Sequence, residues 1–205
     1  MLMASKLIME APNMDILPKN NDKEVVFDEL ACINLAKLDP MKFKPLYEKY
    51  YEQIFRFIYN RIEDKKLAYD ITADVFYKSL LKLPTYQYQN IPFSSWLFRI
   101  ARNELIDIFR KNKAVRVVSI NSLKIQDIMD DIELDYREEY RPKLIQLIEN
   151  MDNDDLQLIE MRFFENKSFK NISEIISATE ASVKMRLYRL LKEMKSQLVG
   201  GVKKI

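Results

Sequence analysis

The side chains that could do chemistry in this sequence are cations rather than nucleophiles. Near the C-terminus Lys184, Arg186, Arg189, Lys192 and Lys195 recur every two or three residues, and Arg99, Arg102, Arg110, Lys111, Lys113 and Arg116 form a second group in the middle of the chain. Ammonium and guanidinium groups at this density neutralise phosphates, and they can also meet the acceptor edge of guanine. Bond-making chemistry has little to work with. There is no histidine, which excludes imidazole zinc sites and every triad that depends on histidine. The one cysteine, Cys32, can form no intrachain disulfide and sits among apolar neighbours, as a small buried hydrophobe does. Asp154 and Asp155 are adjacent carboxylates, but sequence neighbours point to different parts of a helix surface, and a place at a helix start accounts for them. No catalytic residue, metal or cofactor is expected.

Those cations belong to a zoned chain. Six basic residues against two acidic ones lie between Trp96 and Arg116, and five against two between Thr179 and Leu198, while between Gln126 and Glu139 seven acidic residues face one basic residue. The net charge of +2 conceals this pattern. Two basic zones separated by an acidic one suggest two polyanion-facing surfaces joined by a segment that avoids them. Ordinary solvated helix faces are the alternative reading of the same charges.

The elements that must position these groups are helices. Glycine occurs twice in 205 residues, at Gly200 and Gly201, and Leu, Ile, Lys, Glu and Met recur at helical spacing. Residues 1–23 carry Pro12, Pro18 and a polar run, and are expected to be a mobile leader. A short helix is predicted over Glu24 to Lys37. A long one follows Phe43, with Leu46, Tyr47, Tyr50, Ile54, Phe57 and Ile58 on one stripe. Another runs from Asp64 to Leu83 with Leu67, Ile71, Val75, Phe76 and Leu80 facing inward, and ends at Pro84. A loop rich in Tyr, Gln and Asn spans Thr85 to Ser95, and a third long helix with Leu97, Ile100, Ala101, Leu105 and Ile108 inside reaches about Lys111. This gives a first domain over residues 24–112. Residues 113–140 have acidic clusters and weak periodicity and read as a flexible acidic linker. Residues 141–199 hold short helices, and 200–205 a tail. The fold class is therefore all-α, with two small helical domains.

In the second domain Asp152 and Thr179 have the chemistry of N-caps. Only two or three residues separate a helix over Ser168 to Ile176 from the final one, which is helix-turn-helix spacing. On that final helix Val183, Leu187, Leu190, Leu191, Met194 and Leu198 form the inward stripe. Met185, Arg189, Lys192 and Ser196 then point outward, flanked by Lys184 and Arg186. A helix packed on one side and basic on the other fits the major groove, although a solvated basic helix has the same pattern. In the first domain Tyr86, Tyr88, Asn90 and Phe93 precede Trp96, Arg99, Arg102 and Asn103. Rings and amides beside arginines suit unstacked bases and their backbone. Trp96 itself reads as a core residue that anchors the loop.

Several of these stretches resemble a known family. Asp-Ile-Thr-Ala-Asp-Val-Phe at 70–76, followed by Phe-Ser-Ser-Trp-Leu-Phe-Arg-Ile-Ala-Arg-Asn at 93–103 and Asp107, looks like region two of the extracytoplasmic-function (ECF) sigma factors of the sigma-70 family. Ile-Glu-Met-Arg-Phe at 159–163, Ile-Ser-Glu-Ile at 172–175 and Ser-Val-Lys-Met-Arg-Leu-Tyr-Arg at 182–189 resemble their region four. The order, the spacing and the acidic linker match over roughly residues 24–198. The resemblance implies a factor that directs core RNA polymerase to promoters and promotes DNA melting. It implies that Asp70, Asp74, Val75 and Phe76 dock on the clamp helices of the largest polymerase subunit, and that the second domain meets the flap. It assigns Tyr86, Tyr88, Asn90, Phe93, Arg99, Arg102 and Asn103 to the minus-ten element. Ser182, Lys184, Met185, Arg186, Arg189 and Lys192 fall to the minus-thirty-five element. An anti-sigma factor is a further implied partner.

The chain departs from the family pattern in places. Ser177 stands where the helix-turn-helix turn commonly has glycine, and Ser173 replaces a small hydrophobe. Met185 replaces a small polar residue on the reading face. A one-component helix-turn-helix regulator is the alternative function. No apolar run approaches the roughly 20 residues needed to cross a bilayer, and a cytoplasmic protein without membrane insertion is expected.

Overall fold

The structure is a computed structural model that describes residues 28–88, 91–111, 122–132 and 139–200. Among the described residues there are nine α-helices and no strand. The chain divides into two compact units, residues 1–115 and 116–205.

The first unit begins with helix α1, Glu29–Leu38, which starts where the Asp28 carboxylate accepts the Ala31 amide at 2.9 Å. Asp39 then caps a 3-10 turn at Pro40–Phe43 in the same way, through the Met41 amide. Helices α2, Lys44–Ile62, and α3, Lys65–Lys82, are joined by Glu63 in the left-handed region and Asp64, which caps α3 through the Leu67 amide. Pro84 closes α3 through a 3-10 turn, and α4 runs over Phe93–Lys111. Helices α2, α3 and α4 pack on one another. Leu46, Ile54 and Ile58 of α2 and Leu97, Ala101 and Leu105 of α4 are fully buried between them.

Helix α3 offers this core little apolar contrast, because Thr72 and Ser79 lie on its buried side. Their hydroxyls donate to the Ala68 and Phe76 carbonyls at 2.6 and 2.7 Å, so burial leaves neither unsatisfied. Small residues there let the neighbouring helices approach. Arg61 is also buried, donating to the Phe57 carbonyl at 2.6 Å with its guanidinium 3.8 Å from the Phe57 ring centroid.

In the second unit part of the expected linker is helical. Helix α5, Ser122–Asp131, buries Ile125, Ile128 and Met129, and Ile132 just beyond it is also buried. These residues pack against α6, Tyr140–Glu149, and against the turn Glu160–Phe164. Asp127, Asp130 and Asp131 remain on the outside. These three carboxylates thus form the outer face of an amphipathic helix, which packs with the second unit although it precedes the expected boundary at residue 141. Helix α7, Asn153–Ile159, continues into a π-helical turn at Glu160–Phe164. Helices α8, Phe169–Ile176, and α9, Glu180–Gly200, complete the unit.

Candidate nucleic-acid interface

In the second unit, the cap of α7 fixes where α9 sits. The Asp152 carboxylate accepts the amides of Asp154 and Asp155, both at 2.9 Å, and these amides hold its pKa below the usual carboxylate value. Asp155, one turn into the helix, accepts Arg186 of α9 at 2.7 Å. Ser168 caps α8 through the Asn171 amide. The turn that follows is tight. Ser177 takes φ 59° and ψ 44°, and both its amide and that of Ala178 donate to the Ser173 carbonyl. Thr179 then caps α9 through the Ser182 amide at 3.2 Å, as its chemistry predicted.

This geometry sorts the expected reading face. Val183, Leu187, Leu190, Leu191, Met194 and Leu198 are buried, as their spacing predicted. Ser182, Lys184, Met185, Arg189 and Lys192 are exposed. Lys184 and Arg189 pair within the helix with Glu180 and Glu193, at 2.9 and 4.0 Å. Exposed pairs of this kind contribute roughly 0.3–0.5 kcal/mol, so a phosphate can displace them readily. Arg186 differs from the others. It is only partly exposed and is turned to Asp155, which makes it the brace between α9 and α7. Nothing in the sequence near Asp155 signals that partner, which lies 31 residues away.

In the first unit the loop after α3 is pinned at several points. The Lys37 ammonium donates to the Tyr86 carbonyl at 2.6 Å, and the Tyr86 hydroxyl donates to the Ile91 carbonyl at 3.2 Å. The Tyr86 ring lies 4.8 Å from Trp96 and 5.5 Å from Phe93, centroid to centroid. Burial pushes its phenol up to about 12. Glu29 of α1 accepts both the Tyr50 hydroxyl and the Phe93 amide, which ties the start of α4 to α1. Next to this anchor is a cleft of about 260 Å³, lined by Lys82, Thr85, Tyr86, Gln87, Ile91, Trp96 and Arg99. Lys82, Gln87 and Ile91 were not singled out from the sequence. Only the closing of the loop over the end of α3 brings them together.

Two sequence expectations are corrected here. Tyr86 and Phe93 are 6% and 0% exposed, so both hold the loop, and of the two only Tyr86 reaches the wall of the cleft. Tyr88 and Asn103 are exposed and Arg99 and Arg102 half-buried, while Asn90 lies outside the described residues. On α3, Asp70 and Asp74 are exposed one turn apart. Val75 and Phe76 are core residues, with Phe76 set against Phe43, Tyr47 and Tyr51. A docking partner can touch the two carboxylates but not these two side chains.

The fold is that of an all-helical protein whose second unit carries a helix-turn-helix with exposed cations on its last helix. Residues 46–115 match Sigma-70 region 2, and residues 141–194 match Sigma-70, region 4. The ECF RNA polymerase sigma factor BldN of Streptomyces coelicolor is 25% identical over 154 residues, which cover 74% of this chain and 58% of BldN. The ECF RNA polymerase sigma factor SigM of Bacillus subtilis is 24% identical over 165 residues, 79% of this chain and 98% of SigM. Among solved structures, CnrH in complex with the cytosolic domain of CnrY matches with a TM-score of 0.50 and 17% identity, covering 84% of this chain and 97% of that one. The chain belongs to the sigma-70 family and is a sigma factor of the ECF type. It is a promoter-specific partner of RNA polymerase, and the one-component regulator is not favoured, because the first unit carries a sigma-70 region of its own. Among the described residues no helix is long and apolar enough to cross a membrane.

Proposed function

We propose that each unit carries its own part of promoter recognition. Helix α9 reads the minus-thirty-five element through Ser182, Lys184, Met185, Arg189 and Lys192, with Arg186 positioning the helix from one edge. The loop after α3 and the exposed side of α4 hold the melted minus-ten strand, with Tyr88, Asn90, Arg99, Arg102 and Asn103 as the contacting groups. Asp70 and Asp74 dock on the clamp helices of the polymerase. The chain works by binding, in the cytoplasm with the polymerase, and makes or breaks no bond. An anti-sigma factor that covers these surfaces would silence it.

The observation that carries this reading is the exposed cationic face of α9, opposite a fully buried stripe and reached through a three-residue turn. Weak contacts at two DNA elements combine once both units are held on one polymerase, because the second contact forms at a high effective concentration. The binding free energy then opens the duplex where it is easiest to unpair. Reconstituted transcription with core polymerase on a promoter library tests this. Selective initiation above core alone is expected, and Asn90→Ala should impair open-complex formation more than initial binding. Initiation no more selective than that of core alone would defeat the proposal. Unchanged opening in the variant would remove Asn90 from it.

A further inference from the structure

Near the start of α9, the middle of its outward cationic face is apolar. Met185 is 74% exposed and, with Ala181 one turn before it, faces away from the buried stripe. Lys184, Arg189 and Arg186 are each paired with a carboxylate away from it. Glu180 lies on the core side of Lys184 and Glu193 on the core side of Arg189, so both ion pairs pull their cations toward the flanks. Arg186 is held by Asp155 on one edge, and Tyr188 leans on Phe169 at the other, with ring centroids 6.3 Å apart. What stays open near the start of the helix is a thioether and a methyl group, bordered by Ser182, Arg189 and Lys192.

A base edge placed against such a surface has to tolerate losing water without gaining a hydrogen bond. The acceptors of guanine and the amino groups of adenine and cytosine would be dehydrated there without a partner. Thymine alone presents a methyl group in the major groove. The first residues of a helix-turn-helix reading helix are also the ones that reach base edges. We infer that Met185, with Ala181 beside it, reads thymine 5-methyl groups in the upstream promoter element. The inference rests on the assignment of α9 to that element.

Removing the methyl and nothing else tests it. The full chain assembled with core polymerase is used to select duplexes whose upstream element is randomised, and each enriched thymine is then replaced by uracil. At one or two neighbouring positions uracil should weaken binding about three- to fourfold, the effect of one buried methyl group. Met185→Ala should bind thymine and uracil equally at those positions, and Met185→Leu should keep the preference. An element enriched without thymine would overturn the inference, as would a thymine-to-uracil penalty that is absent or survives in Met185→Ala. Failure of the selection to enrich any upstream sequence would instead overturn the assignment of α9 to DNA, and the inference with it.

Discussion

At the scale of single residues, Ser177 shows how a departure from family habit is absorbed. Its backbone is left-handed, a region that costs a residue with a Cβ roughly 1–2 kcal/mol relative to glycine. Glycine would remove that strain but give the unfolded chain more freedom, worth about 0.4–1 kcal/mol in the other direction. Ser177→Gly should therefore stabilise the second unit by about 0.5 kcal/mol, read as a rise of about two to four degrees in that unit's thermal midpoint by circular dichroism. A lower midpoint would mean that the serine side chain contributes more than the strain costs. Ser173, the other departure, is satisfied in place, with its hydroxyl donating to the Lys170 carbonyl at 2.7 Å. Much at this scale was readable in advance, including Asp152 and Thr179 as caps and the exposure of Met185. The helical spacing also sets Val75 and Phe76 inward, as found, and only the resemblance carries the whole motif at 70–76 to the surface. Yet Asp70 and Asp74 are one turn apart on one face, and the two residues after them point elsewhere.

At the scale of elements, the helices that alternate apolar and polar residues cleanly were legible, and α5 was not. Its buried set, Ile125, Ile128, Met129 and Ile132, follows helical spacing as well as any in the chain. The dense acidic charge around it masks that spacing. Charge reports what a helix shows to water and says nothing of its hidden face. The cleft beside Tyr86 was illegible for a different reason. Its lining comes from the end of α3, the loop and α4, and only the folded backbone juxtaposes them. If α5 is part of the second unit, cutting its anchor should have a local effect. Ile128 is fully buried, and Ile128→Ala should cost about 2–4 kcal/mol of the docking of α5. Amide hydrogen exchange across 125–132 should accelerate while exchange in α2, α3 and α4 stays as it was. Unchanged exchange in α5 would show that its apolar face contributes nothing to its position.

For the whole molecule, the net charge of only +2 argues that affinity for DNA comes from where the cations sit and from the polymerase, not from bulk attraction. The free chain should bind promoter DNA feebly, and addition of core polymerase should raise the affinity at fixed salt. Salt dependence separates the contributions, since each phosphate contact adds about 0.9 to the slope of log affinity against log salt. Replacing Lys184 and Arg189 together by alanine should lower that slope by about 2 in the polymerase-bound state. The variant should lose most at low salt, where the missing counterion release weighs most, and approach the parent as salt rises. Methionine at the centre of the same face carries no charge, so Met185→Ala should leave the slope unchanged while altering which sequences are chosen. Titrations of holoenzyme onto one promoter at several salt concentrations read both effects. A slope unchanged in the double variant would mean that neither cation meets a phosphate and that α9 owes its grip on DNA to other groups.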